Sequence, residues 1–149
     1  MSLRVLLADE SATIKKVMEI TLQDFAVDIR NVNIGTDVIS VAESFQPDIV
    51  FIDILLQKKS GYDVARDLKT NADTTNIPVI MLWNGFMGLD QQKLDESGAE
   101  DNLEKPFDSD TLRKMVMKYV SKLQTDPVAE HIQPPPIEWP AEEASKAQV

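Results

Sequence analysis

Cysteine is absent from this chain of 149 residues. That excludes disulfides, thiolate metal sites and a cysteine nucleophile, and it suits a reducing compartment. Cationic residues are scarce: 15 Lys and Arg face 25 Asp and Glu, a formal net charge of -10 at pH 7. Phosphate backbones attract clustered cations, so this balance argues against direct nucleic-acid binding. It disfavours an acidic membrane surface as well. The opening Met1-Ser2-Leu3-Arg4-Val5 has only a short apolar run and no small-residue cleavage pattern. Neither a signal peptide nor a membrane anchor is expected there, and the expected location is cytoplasmic. No internal repeat is found.

What remains suffices for one domain with a sizeable core. Its organising stretch is Pro47-Asp48-Ile49-Val50-Phe51-Ile52-Asp53, four apolar residues running straight into a carboxylate. Such a run suits a strand buried on both faces of a parallel sheet. Its last side chain then sits at the sheet rim, where open α/β sheets bind ligands. Val5-Leu6-Leu7-Ala8 is a similar run and ends in Asp9-Glu10. Val27 and Ile29 alternate with Asp28 and Arg30, the pattern of a half-exposed edge strand. Val79-Ile80-Met81-Leu82 and a weakly apolar stretch around Leu103 complete five strands.

Helical spacing lies between them. Ile14, Val17, Met18, Leu22 and Phe25 mark the first helix, with Ser11 able to cap it. Val38, Val41, Ala42 and Phe45 mark the second, and Gly61 opens a third carrying Val64, Ala65 and Leu68. A short helix runs through Leu94. A last stripe from Leu112 to Leu123 is opened by Ser109 or Asp110. Alternation of this kind means right-handed βαβ crossovers. With an edge strand in second place, the expectation is a flavodoxin-like, doubly wound parallel sheet of five strands, order 2-1-3-4-5, with five helices. Asp9, Glu10 and Asp53 then fall on neighbouring strand ends at the topological switch point.

The domain is expected to span 1-124. From 125 to 149 the composition turns to Pro and Glu, as in Pro134-Pro135-Pro136, and the expectation is a disordered tail or linker. Ile137-Glu138-Trp139-Pro140 also reads as a docking peptide, since a polyproline conformation loses little entropy on binding.

Three carboxylates at adjacent strand ends repel one another unless a cation joins them. With no His or Cys nearby, the hard-ion choice is Mg2+. Asp53 would attack a phosphorus, the metal would neutralise its oxygens, and Lys105 would pair with the incoming group. Each residue has an ordinary alternative: a helix N-terminal charge for Asp9 or Glu10, a loop acceptor for Asp53, a solvated charge for Lys105. It is the set that points to chemistry.

That set resembles the receiver domain of bacterial two-component response regulators. The matching pieces are Asp9-Glu10, Pro47-Asp48 leading to Asp53, Gly61, Gly98-Ala99-Glu100-Asp101 and Lys105-Pro106-Phe107. The resemblance covers residues 3 to about 123. It implies that Asp53 accepts a phosphoryl group from a histidine kinase, a phosphotransfer protein or a small donor. It implies that Asp9, Glu10, Asp53 and the Leu55 carbonyl hold Mg2+, and that the bond before Pro106 is cis. No turnover enzyme is implied, and a homodimer is among the assemblies it admits.

Two positions depart from the family pattern. Trp83 stands where the family has a Thr or Ser whose hydroxyl bonds the phosphoryl group, and Asn102 stands where it has a rotating aromatic. An indole offers one N–H and no hydroxyl. The loop Leu55-Leu56-Gln57-Lys58-Lys59-Ser60 also adds two cations that would attract anionic partners. Capture chemistry is therefore expected with the usual switch lost or rerouted, because a ligand without differential contacts shifts nothing. Output is expected by protein docking on the face of the fourth helix, fifth strand and last helix. Met87, Leu89, Gln92, Asn102, Lys114, Met117 and Lys118 are its candidates, since no core stripe requires them.

The alternative is a pseudo-receiver that works by fixed shape as an interaction or localisation module, without phosphorylation. Two enzyme readings of the same sheet fit less well. A haloacid-dehalogenase-like phosphatase wants a second Asp where Leu55 stands, and Asp9-Glu10 would repel a flavin phosphate.

Overall fold

The computed structural model describes residues 2-123 and Trp139. Five strands form one sheet in the order β2-β1-β3-β4-β5: β1 Leu3–Ala8, β2 Val27–Val32, β3 Ile49–Asp53, β4 Val79–Asn84 and β5 Asp101–Lys105. Every neighbouring pair is parallel. The helices are α1 Ala12–Thr21, α2 Val38–Phe45, α3 Gly61–Thr70, α4 Gln91–Ser97 and α5 Ser109–Tyr119. The expected doubly wound flavodoxin-like architecture and strand order are both observed.

Side chains of a strand alternate between faces, and the two faces bury separate layers. Leu3, Val5 and Leu7 of β1, with Ile49 and Phe51 of β3, meet Ile14, Val17 and Met18 of α1 and Leu112 and Val116 of α5. The intervening Leu6, Ala8, Val50 and Ile52 meet Val38 and Ala42 of α2, Val64, Ala65 and Leu68 of α3, and Leu94 of α4. All five residues of β3 are buried, which is why its sequence reads as an unbroken apolar run. Among the described residues no helix is long and apolar enough to cross a membrane.

Some local expectations change. Ser11 occupies the N-cap of α1 without a side-chain capping bond; its own N–H instead donates to Asp9 Oδ1 at 2.8 Å. The cap of α5 is Asp108, which accepts from the Thr111 N–H and precedes the predicted Ser109 and Asp110 by one and two residues. That helix stops at Tyr119, and a tight turn from Ser121 to Leu123 replaces its last turn. Val120 and Leu123 still reach the core, at 4% and 1% exposure, so the apolar stripe outlives the helix. The tail from 125 onward, and the docking peptide around it, lie outside the described residues apart from Trp139.

Gly61 locks the loop after β3. Its N–H donates to the Ile54 carbonyl, and a Cβ there would lie 2.2 Å from the Asp53 carbonyl oxygen and 2.8 Å from Ile54 Cα. Backbone cannot yield as a flexible side chain does, so even one methyl overpacks this contact. Gly61→Ala is expected to lower stability by about 1–3 kcal/mol, read as a lower urea midpoint at unchanged slope. An unchanged midpoint would mean the β3–α3 loop is not held against the end of β3.

Candidate functional site

Asp9 follows β1, Asp53 ends β3 and Lys105 ends β5, so all three emerge at the carboxyl rim. Lys105 Nζ donates to Asp53 Oδ2 at 2.9 Å and to Asp9 Oδ2 at 3.1 Å. The three residues are only 5%, 6% and 2% exposed. Each carboxylate is also held by the backbone two residues on. Asp9 Oδ1 accepts from Ser11 and Asp53 Oδ1 from Leu55, both at 2.8 Å. These are Asx turns, in which the acid side chain organises the loop that follows it. The structure thus brings Asp9, Asp53 and Lys105 together, while Glu10, expected with them, does not join the cluster.

Two buried carboxylates and one ammonium leave one uncompensated negative charge. Burial, the largest influence, pushes the Asp9 carboxyl up to about 6; Lys105 opposes the shift and Asp53 adds to it. Burial pulls the Lys105 ammonium down, but the attraction of Asp9 and Asp53 outweighs it and the group titrates above its ordinary value. Lys105 thus remains charged.

Other expected residues are placed differently. Glu10 is exposed, and among the described residues no group of three acids lies close enough to hold a metal ion. Leu55 is 60% exposed and contributes its N–H to Asp53. The fit to Mg2+ therefore rests on Asp9 and Asp53. Each ionised carboxylate has lone pairs beyond those engaged here, and Mg2+ is commonly held by one or two carboxylates with water filling its octahedron. The donor set fits.

Lys59 pairs with Asp67, while Lys58 is exposed, with a φ of 69°. Of the two cations expected to attract anionic partners in this loop, Lys59 is engaged and Lys58 is exposed. Trp83 and Asn102 touch one another: Trp83 Nε1–H donates to Asn102 Oδ1 at 2.9 Å across the β4–β5 pair. Leu89 and Met117 prove to be partly buried against the two core layers, so they are not the spare surface residues expected. Met87, at 37% exposure, and the neighbouring Phe86, at 69%, lie outside the core. The bond before Pro106 is cis.

Asn31 was not anticipated. Its side-chain N–H groups donate to the Leu7 and Asp9 carbonyls, both at 3.0 Å, tying edge strand β2 to the end of β1. The signal was available: Val27 and Ile29 predict another apolar residue at 31, and an amide stands there instead.

Comparison with known proteins gives the family and supports the fold. The response regulator receiver domain family matches residues 5–117. This chain belongs to that family. Protein PilH of Pseudomonas aeruginosa is 30% identical over 76% of the chain and 93% of its own length. The DNA-binding dual master transcriptional regulator RpaA of Synechocystis sp. is 30% identical over 85% of the chain but only 52% of its own length, so the chain spans about half of that relative. Among solved structures, the receiver domain of the sensor histidine kinase PA1611 from Pseudomonas aeruginosa superposes with a TM-score of 0.72. It is 21% identical, with 81% of this chain and 99% of that one covered, and it has a magnesium ion in its active-site cleft. Receiver domains are signalling modules of two-component systems rather than turnover enzymes, and they interact with histidine kinases or phosphotransfer proteins.

The raised pKa of Asp9 has a consequence for this receiver. An acid whose folded pKa exceeds its unfolded value stabilises the fold below the unfolded value and loses that contribution as pH rises through the folded one. Without divalent cations, stability is expected to fall between about pH 4 and pH 6. Asp9→Asn should abolish that fall and raise stability at pH 8 by about 1–3 kcal/mol, with little difference at pH 4. Urea midpoints across this range in chelator decide it. A variant less stable than the parent at pH 8 would mean that the ion pair with Lys105 outweighs burial.

Proposed function

We propose that Asp53 is the phosphoacceptor of this receiver, that Asp9 and Asp53 hold Mg2+ during the transfer, and that the usual switch is rerouted. The observation that carries this reading is the double contact of Lys105 with two buried carboxylates at the rim. A single ammonium shared between two acids is a counter-ion ready to be given up to a third anion.

In the reaction an Asp53 carboxylate oxygen attacks the phosphorus of a phosphohistidine or acyl phosphate. A new P–O bond forms as the P–N or P–O bond to the donor breaks. The leaving imidazole or carboxylate departs with the bonding electron pair. Lys105 moves its hydrogen bonds from the carboxylates to a phosphoryl oxygen, and the Asx turns keep Asp9 and Asp53 in place. Bound Mg2+ supplies neutralisation of the equatorial oxygens. Glu10 and the Leu55 carbonyl are the further donors this reading assigns to it.

The bond between Trp83 and Asn102 supports altered switching. The two positions that depart from the family pattern satisfy each other, leaving Trp83 neither a hydroxyl for the phosphoryl group nor an unsatisfied N–H to reorient. The same bond favours a second reading, a pseudo-receiver of fixed shape. On either reading, output passes through protein docking on the surface of α4, β5 and α5. Met87, Gln92, Lys114 and Lys118 are the exposed candidates there.

Intact-mass measurement after incubation with Mg2+ and a small acyl phosphate separates the two. The phosphoacceptor reading predicts a single phosphoryl adduct, absent in chelator and absent in Asp53→Asn. No adduct with the small donor or with any phosphorylated kinase would leave the fixed-shape reading.

A further inference from the structure

Trp139 is far from the receiver in sequence and yet seated on it. Its Nε1–H donates to the Phe107 carbonyl at 2.7 Å. The two rings meet edge to face, centroids 5.0 Å apart and planes at 88°. The indole also packs against the α1–α5 core layer, to which Phe107, 6% exposed, belongs. Both halves of an amphipathic side chain are thus matched, the ring on apolar surface and the N–H on a backbone acceptor. Phe107 lies in the β5–α5 loop, two residues beyond the lysine that spans the acid pair.

The geometry points to an internal clamp: Trp139, carried by the chain's own Pro- and Glu-rich tail, holds the β5–α5 loop in the arrangement in which Lys105 engages both carboxylates. The inference rests on the phosphoacceptor reading above. A phosphoryl group on Asp53 draws Lys105 away from that arrangement, and the movement passes through Pro106 to the carbonyl and ring that seat the indole. Tail docking and phosphoryl occupancy therefore oppose each other. By linkage, the factor by which occupancy weakens docking equals the factor by which docking weakens occupancy.

The test uses the full chain with Trp83→Phe, which leaves Trp139 as its single tryptophan. Its emission should be blue-shifted and protected from iodide relative to the urea-unfolded chain, independently of protein concentration. Phe107→Leu, which keeps an apolar group in the core, should reduce that protection. Addition of Mg2+ and beryllofluoride, a phosphoryl mimic, should shift the emission to the red. Trp139→Ala should bind the mimic more tightly, by about fivefold or more, the low end of ordinary coupling between sites. Bound mimic is read separately by fluorine NMR. Solvated emission from the start would overturn the clamp, and protection that grows with concentration would place a second copy's tryptophan in the seat instead. A bound fluorine signal with unchanged emission and unchanged affinity would overturn the coupling alone. Absence of that signal would overturn the phosphoacceptor reading and the coupling with it.

Discussion

The ammonium of Lys105 stands between two carboxylates that the fold forces together. β1 and β3 are neighbours, so Asp9 and Asp53 cannot be far apart, and both are removed from water. Two like charges in such a place cost several kcal/mol unless something of opposite sign joins them. Lys105 begins two strands away from Asp53, roughly 10 Å at ordinary strand spacing, and its side chain must cross the end of β4 to arrive. Only a long, unbranched cation does this, and its single charge leaves the trio one unit negative. That residual charge is what the proposed Mg2+ and phosphoryl chemistry rests on.

What surrounds the trio is ordered by the same constraint. The Asx turns at Asp9 and Asp53 fix one oxygen of each acid and leave the other to Lys105. Asn31 pins the Asp9 carbonyl from the sheet edge, and Gly61 admits the next loop against the Asp53 backbone. Trp83 and Asn102 close on each other beside this site. In free-energy terms that bond adds to the cost of any second arrangement of β4 and β5, since opening it strands a partly buried donor and acceptor. A receiver built so has a buried, tightly bonded rim and a β4–β5 pair tied by an extra bond.

The sheet was legible because its evidence is periodic. An apolar run ending in Asp53 and a mixed run ending in Lys105 have few other places to go in a doubly wound fold, and strand order followed from the edge character of Val27–Arg30. Convergence at the rim followed from order. Contacts set by rotamers were beyond such reasoning. Glu10 adjoins Asp9 in sequence, yet it is exposed while Asp9 is buried. Met117 looked dispensable because helical stripes count only the centre of a buried face, not its flanks, and Leu89 because it precedes the cap of α4 and belongs to no stripe. The Trp83–Asn102 bond joins two departures that the sequence shows only separately. The seat of Trp139 is likewise invisible in pattern, because it depends on one indole finding one carbonyl.

Whether the acid pair at the rim is where a divalent cation binds is read by titrating the isotopically labelled full chain with Mn2+ and watching amide signals broaden. Paramagnetic broadening falls steeply with distance from the ion. Asp9, Ser11, Asp53 and Leu55 should lose intensity first, before the exposed acids of α4 or the acidic tail. Broadening that begins in the tail or on the helices, with the rim amides unaffected, would contradict binding at the pair.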